Sequence, residues 1–204
     1  MWKKMNLPNK LTMLRILLIP LFVIAMCLPT EWVWPIYTAL GIYIVAALTD
    51  FLDGHISRSK GLVTKFGKIM DPLADKLLVS TGFIMLTGAG IIPSWITVII
   101  VFRDFFINAL RMFGTDNNKD LAASLSGKIK TLFQLVGIPL GILNVALLPE
   151  YGFGAFIENA AKMDMLSLMV NIFMTVSISA AVIATLWSFV AYCIRFKSDI
   201  DYEN

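Results

Sequence analysis

A chain of 204 residues that is 58% hydrophobic and only 15% charged is neither disordered nor an ordinary soluble domain, in which about a quarter of residues are charged. Its mean hydropathy of +0.78 makes the bilayer its expected solvent. The 17 basic and 14 acidic residues are too nearly balanced for the basic stripe that nucleic acid requires, and Cys27 and Cys193, each inside an apolar run, offer neither a disulfide framework nor a CxxC metal site.

Six stretches approach the roughly 20 apolar residues that cross a bilayer. The first covers about 11 to 28. Lys3, Lys4 and Lys10 precede it as they would a signal peptide, but Arg15 interrupts it and no Ala-x-Ala site follows. It is expected to stay as a membrane helix, with residues 1 to 10 a candidate interfacial segment. Beyond Pro29 and Pro35 the second covers about 35 to 57, and after Gly61 the third covers about 68 to 88. Gly88, Gly90 and Pro93 lead to the fourth, about 92 to 113; Gly114, Asn117 and Asn118 lead to the fifth, about 126 to 148. Gly152 and Gly154 precede the sixth, about 166 to 194.

Basic residues alternate between the connections. Lys3, Lys4 and Lys10, then Arg58, Lys60 and Lys65, then Arg111, Lys119 and Lys128, and finally Arg195 and Lys197 fall on one side; the other side has only Lys162. The positive-inside rule puts both termini in the cytoplasm, with Trp32, Trp34 and Trp95 as an aromatic belt at the opposite interface. The fold class is therefore an all-α membrane protein of six transmembrane helices, one integral-membrane domain over residues 1 to 204.

Four aspartates flank the second connection, in Asp50-Phe-Leu-Asp53-Gly54-His-Ile-Ser57-Arg58 and Gly67-Lys-Ile-Met-Asp71-Pro-Leu-Ala-Asp75. The i, i+3 and i, i+4 spacings put each pair on one helix face. An Asp at a helix centre in the membrane costs roughly 2.5 to 3.5 kcal/mol, so four together call for cations. Two divalent ions match four carboxylates, and an oxygen-only ligand set suits Mg²⁺ or Mn²⁺. The plainer alternative pairs Asp50, Asp53, Asp71 and Asp75 with Arg58, Lys65, Lys68 and Lys76. Gly54 and Gly67, one turn from Asp50 and Asp71, leave room for a phosphate or a neighbouring backbone. His55 turns away from the carboxylate stripe, and the eleven methionines join no Cys or His cluster.

Downstream, Arg103 and Asp104 are followed by Asn108 and Arg111, with Asp104, Asn108 and Arg111 on one stripe. The fifth span opens with Ser126-Gly127-Lys128-Ile-Lys130-Thr131. Arg103, Arg111, Lys128 and Lys130 would suit a phosphate-bearing acceptor; the plainer reading of Lys128 and Lys130 is a positive-inside anchor.

The aspartate pattern resembles the D-x-x-D-G-x-x-A-R-x8-G-x-x-x-D-x-x-x-D signature of the CDP-alcohol phosphotransferases. Asp50, Asp53, Gly54, Arg58, Gly67, Asp71 and Asp75 match it in order and spacing, with Ser57 in place of Ala. The resemblance implies a six-helix membrane enzyme, commonly a homodimer, that displaces CMP from a CDP-linked donor with an alcohol. It makes Asp50, Asp53, Asp71 and Asp75 metal ligands, Asp75 also the general base, and Asp50, Asp53, Gly54, Ser57, Arg58 and Gly67 the hold on the nucleotide diphosphate.

The Arg103-Asp104 and Ser126-to-Thr131 segments, with the opening Asn6-Leu7-Pro8-Asn9-Lys10-Leu11-Thr12-Met-Leu-Arg15, are similar to the phosphatidylglycerophosphate synthase branch, where Glu often stands in place of Asp104. That likeness implies Asn9, Thr12 and Arg15 on the nucleotide side, and Arg103, Arg111, Lys128, Lys130 and Thr131 around the acceptor phosphate. The other reading of Asn9, Thr12 and Arg15 is an Asx-turn and helix cap with a snorkelling arginine. The implied reaction passes a phosphatidyl group from CDP-diacylglycerol to sn-glycerol 3-phosphate at the cytoplasmic face of a bacterial plasma membrane. The alternatives are another acceptor, such as inositol phosphate or serine, or a cation- or proton-coupled transporter using the intramembrane aspartates.

Overall fold

In hydrocarbon every backbone N–H and C=O must be satisfied within its own segment, and a long apolar run does this by becoming a helix. The computed structural model describes the backbone of residues 7–28, 33–60, 65–116 and 125–201, and the side chains of 9–28, 33–50, 67, 70–109 and 129–194. Each of the six expected stretches is a helix: α1 (Leu7–Cys27), α2 (Trp34–Lys60), α3 (Lys65–Gly88), α4 (Ser94–Asp116), α5 (Leu125–Leu147) and α7 (Met165–Asp201). Residues 7–10 belong to α1, and residues 1–6 of the candidate interfacial segment lie outside the described residues. The helices Asn9–Cys27, Ile129–Leu147 and Met165–Ile194 are long and apolar enough to cross a membrane. In α2, α3 and α4 the site's charged residues lower the hydropathy of otherwise similar helices.

No strand occurs among the described residues. The fifth connection holds an element that its glycines did not announce, the short helix α6 (Phe156–Asn159) followed by a 3₁₀ turn, Ala160–Lys162. Asp164 then caps α7 by accepting the Ser167 N–H at 3.3 Å.

Around the bundle α1 packs on α2, α2 on α5, α5 on α7, α7 on α4, α4 on α3 and α3 back on α1, while α3 also meets α5 across the centre. Close approach there depends on glycines. A Cβ on Gly82 of α3 would lie 2.8 Å from Ile138 Cγ2, and one on Gly141 of α5 would lie 2.5 Å from Leu86 Cδ1. Phe22, Tyr43, Phe83, Ile138, Met174 and Ile178 fill the interior.

The polarity distribution is the reverse of a soluble protein's. Leu17, Ile84, Phe102, Phe173, Ile183 and Trp187 are each more than half exposed, whereas Arg15, Asp104, Lys130, Gln134 and Asn144 are buried. Such an exterior requires lipid around it.

The helices alternate in direction, so the bundle has two chemically different ends. At one end Asn171 Nδ2 donates to Asn144 Oδ1 at 3.1 Å and to the Gly152 carbonyl at 3.0 Å, Asn144 Nδ2 donates to the Tyr151 carbonyl at 2.6 Å, and Asn171 Oδ1 accepts the Phe156 N–H at 3.2 Å. The Phe153 N–H reaches the Ile91 carbonyl of the α3–α4 turn at 2.7 Å. These amides bind the α5–α7 connection down. The other end carries the carboxylates.

Candidate active site

Three helices supply the acidic part of the site. The stripe Asn9, Thr12 and Arg15 on α1 is fully or nearly fully buried, because its i, i+3 spacing turns one face toward α2 and α3. Arg15 Nη1 lies 2.7 Å from Asp50 Oδ1 on α2. Thr12 Oγ1 donates to Asp71 Oδ1 on α3 at 2.5 Å. One turn further along α3, Asp75 Oδ2 lies 3.3 Å from Lys76 Nζ. Asp71 and Asp75 are near enough to Asp50 for their charges to act on it. Of the plainer carboxylate pairings only Asp75–Lys76 falls on described side chains, and Asp50 pairs with Arg15 instead. Nor does Arg15 snorkel or Thr12 cap a terminus: both are enclosed within α1.

Gly67 is buried on α3 one turn before Asp71. The side chains of Asp53, Ser57, Arg58, Arg111 and Lys128, with Gly54 and His55, lie outside the described residues. Among the described residues no three His, Cys, Asp or Glu side chains converge as a metal-binding group. The oxygen donors and like charges of Asp50, Asp71 and Asp75 nevertheless fit a hard divalent cation, the kind that carboxylates hold.

A second cluster adjoins the first. Arg103 Nη1 lies 3.1 Å from Asp104 Oδ1 on α4, and Lys130 Nζ of α5 donates to that same oxygen. Arg103 Nη2 donates to Ser188 Oγ of α7. Arg103, Asp104, Lys130 and Ser188 are all buried, while Thr131 beside them is half-buried. Lys130 is within electrostatic range of Asp75 and Lys76, so the two clusters lie at the same end of the bundle.

Sequence reasoning missed three members of this region. Ser188 gives no signal, being one of many small hydroxyls in an apolar helix. Gln134, a turn beyond Lys130, is a polar residue in an apolar run and was legible; it is buried and its Nε2 has no hydrogen-bond partner among the described residues. Tyr43 lies two turns before Asp50, against Phe22, with its hydroxyl likewise unpartnered, and the charge of Asp75 acts on it.

Known proteins resemble this chain over most of its length. A CDP-diacylglycerol–glycerol-3-phosphate 3-phosphatidyltransferase of Bacillus subtilis is 40% identical over 149 residues, covering 68% of this chain and 77% of its own. The proteins of the same name from Rickettsia felis and Salmonella typhimurium are 36% and 34% identical, covering 68% and 80% of this chain and 75% and 91% of theirs. The family model for CDP-alcohol phosphatidyltransferase matches residues 5–176, a stretch that contains the carboxylate cluster and Arg103, Asp104 and Lys130, and the chain belongs to that family.

Proposed function

We propose that this chain transfers a phosphatidyl group from CDP-diacylglycerol to sn-glycerol 3-phosphate, giving phosphatidylglycerophosphate and CMP. The observation that carries the reading is the presence in one bundle of two opposite fields, carboxylates on α2 and α3 and buried cations on α4 and α5. The names of the relatives support the same donor and acceptor.

In this reading Asp50, Asp53, Asp71 and Asp75 hold two divalent cations, Mg²⁺ or Mn²⁺. When bound, such ions neutralise a diphosphate and its departing phosphate. The chain's own groups do the rest. Asn9, Thr12, Arg15, Gly54, Ser57, Arg58 and Gly67 shape the nucleotide side. Arg103, Arg111, Lys128, Lys130 and Thr131 take the acceptor phosphate through charge-assisted hydrogen bonds. Asp75 accepts the proton of the acceptor's free hydroxyl. The hydroxyl oxygen forms its bond to the β-phosphorus, the bond from that phosphorus to the bridging oxygen breaks, and CMP leaves with the electron pair.

The six helices serve as six spans of one domain, with both termini and the carboxylate end in the cytoplasm of a bacterium, and the working unit is a homodimer in the plasma membrane. A lipid donor then enters from the bilayer and a soluble acceptor from the water. α2 and α3 run without a break past Asp50 and Asp75, unlike the discontinuous helices on which transporters build midplane ion sites.

The test is CMP release by purified protein from labelled CDP-diacylglycerol with Mg²⁺ or Mn²⁺ and a panel of acceptors. Glycerol 3-phosphate should turn over fastest, and glycerol poorly. Faster turnover of serine or inositol phosphate would overturn the acceptor, and absence of CMP release with every acceptor would overturn the reaction.

A further inference from the structure

Asp104 is the one anion among the described side chains of the cationic cluster, and a cluster that has to attract a phosphate gains nothing in charge from it. Its placement supplies another reason. A single oxygen, Oδ1, accepts from Arg103 Nη1 and from Lys130 Nζ, and all three side chains are at least nine-tenths buried. The cations come from helices that share α3 and α7 as neighbours but pack little on each other directly. Backbone packing between α4 and α5 therefore does little to fix the spacing of guanidinium and ammonium. The shared carboxylate oxygen does, and Ser188 holds the other arm of the fork through Nη2.

We propose that Asp104 is a positioning residue that keeps the Arg103 and Lys130 cations at the separation a phosphate monoester bridges, with Ser188 fixing the rotation of the guanidinium. This rests on the acceptor reading above. Two like charges in a low-dielectric interior move apart unless an anion lies between them. Arg103 has five N–H donors and Lys130 three, and the shared oxygen takes one from each.

Pure charge counting and positioning predict opposite signs. If Asp104 acted only through its charge, Asp104→Asn would make the pocket more cationic and tighten the acceptor. If it positions, the same isosteric change loosens the acceptor although the pocket has become more positive.

The measurement is steady-state kinetics on purified full-length protein in detergent, with glycerol 3-phosphate and CDP-diacylglycerol varied separately. Wild-type turnover is established first. Should wild type prefer another phosphorylated acceptor, the series is run with that one; preference for an unphosphorylated acceptor would sink the acceptor reading and this proposal together. For Asp104→Asn the acceptor KM should rise ten- to a hundredfold, with donor KM within threefold of wild type, and Asp104→Glu should restore most of the loss. In a Lys130→Met background Asp104→Asn should add less than threefold, because the partner it spaces is gone. Ser188→Ala, which changes no charge and serves should Asp104→Asn not fold, should raise the acceptor KM three- to tenfold. A lowered acceptor KM in Asp104→Asn, additive effects in the double variant, or equal loss of donor and acceptor affinity in either single variant would each overturn the proposal.

Discussion

Asp50 and Asp75 belong to the same acidic cluster, yet their neighbours give their variants different behaviour. Asp75 has the adjacent, part-exposed Lys76 as its ion-pair partner, so Asp75→Asn disturbs little packing. A general base contributes about a hundred- to ten-thousandfold, and kcat should fall by that factor while donor KM stays within about threefold. Donor binding lost as completely as in Asp50→Asn would contradict a separate role for Asp75. Removing a like charge from the cluster should also leave metal-free Asp75→Asn at least as heat-stable as wild type. Asp50→Asn should not share that gain, since it also takes away the carboxylate that the fully buried Arg15 pairs with. Differential unfolding in detergent with a chelator compares the two.

Thr12 makes a narrower case. Its hydroxyl holds Asp71 from another helix, and Thr12→Val removes that bond while keeping the shape. The expected loss is about 1 kcal/mol of stability with roughly a tenfold drop in kcat/KM. Unchanged kinetics would show that Asp71 needs no help from α1. None of this was legible from the stripe Asn9, Thr12, Arg15 itself. Spacing reveals which residues share a helix face, but not that Thr12 meets a residue 59 positions away and Arg103 one 85 positions away.

At the scale of elements, the distance between α3 and α5 sets how far Asp75 stands from Lys130, and glycines set that distance. A Cβ at Gly141 meets the side chain of the buried Leu86, whereas one at Gly152 meets the Ile91 carbonyl at 2.8 Å and the Gly90 carbonyl at 3.0 Å. Gly141→Ala should therefore cost about 1 kcal/mol and be relieved by Leu86→Ala, while Gly152→Ala, pressing on backbone, should cost about 2 to 3 kcal/mol. The reverse order of melting temperatures would refute this account of the packing. These helices were legible because their apolar runs are long, and α2 through α4 remained so despite their charges. Helix α6 was not: Phe156–Asn159 spans barely one turn, and it is placed by the Asn171 side chain rather than by any pattern of its own.

For the whole molecule, the cysteines provide a test of orientation. Cys27 ends α1 at the amide-bound end of the bundle and Cys193 lies near the other end of α7; both are free and exposed. With the proposed orientation, a membrane-impermeant thiol reagent should label a variant retaining only Cys27 from outside intact cells, and one retaining only Cys193 from the cytoplasmic face in inverted vesicles. Labelling of Cys193 in intact cells would reverse the topology. The reading of the termini came from the alternation of Arg58, Lys60 and Lys65 with Lys162, a pattern that concerns loops and says nothing of how helices pack.

The Asn144–Asn171 pair has a mechanical consequence. It fastens α5 to α7 and both to the connection between them at the end remote from the carboxylates, so the cationic end lies at the far end of a lever that starts there. From Asn171 to Ser188 is about 25 Å of helix, and a tilt of about 5° over that lever sweeps roughly 2 Å. Such a sweep is the scale on which a hydrogen bond is made or lost. The amide pair thus ties the chain's longest connection between spans to the two helices it joins, and places that tie at the far end of the lever from the Arg103–Ser188 contact.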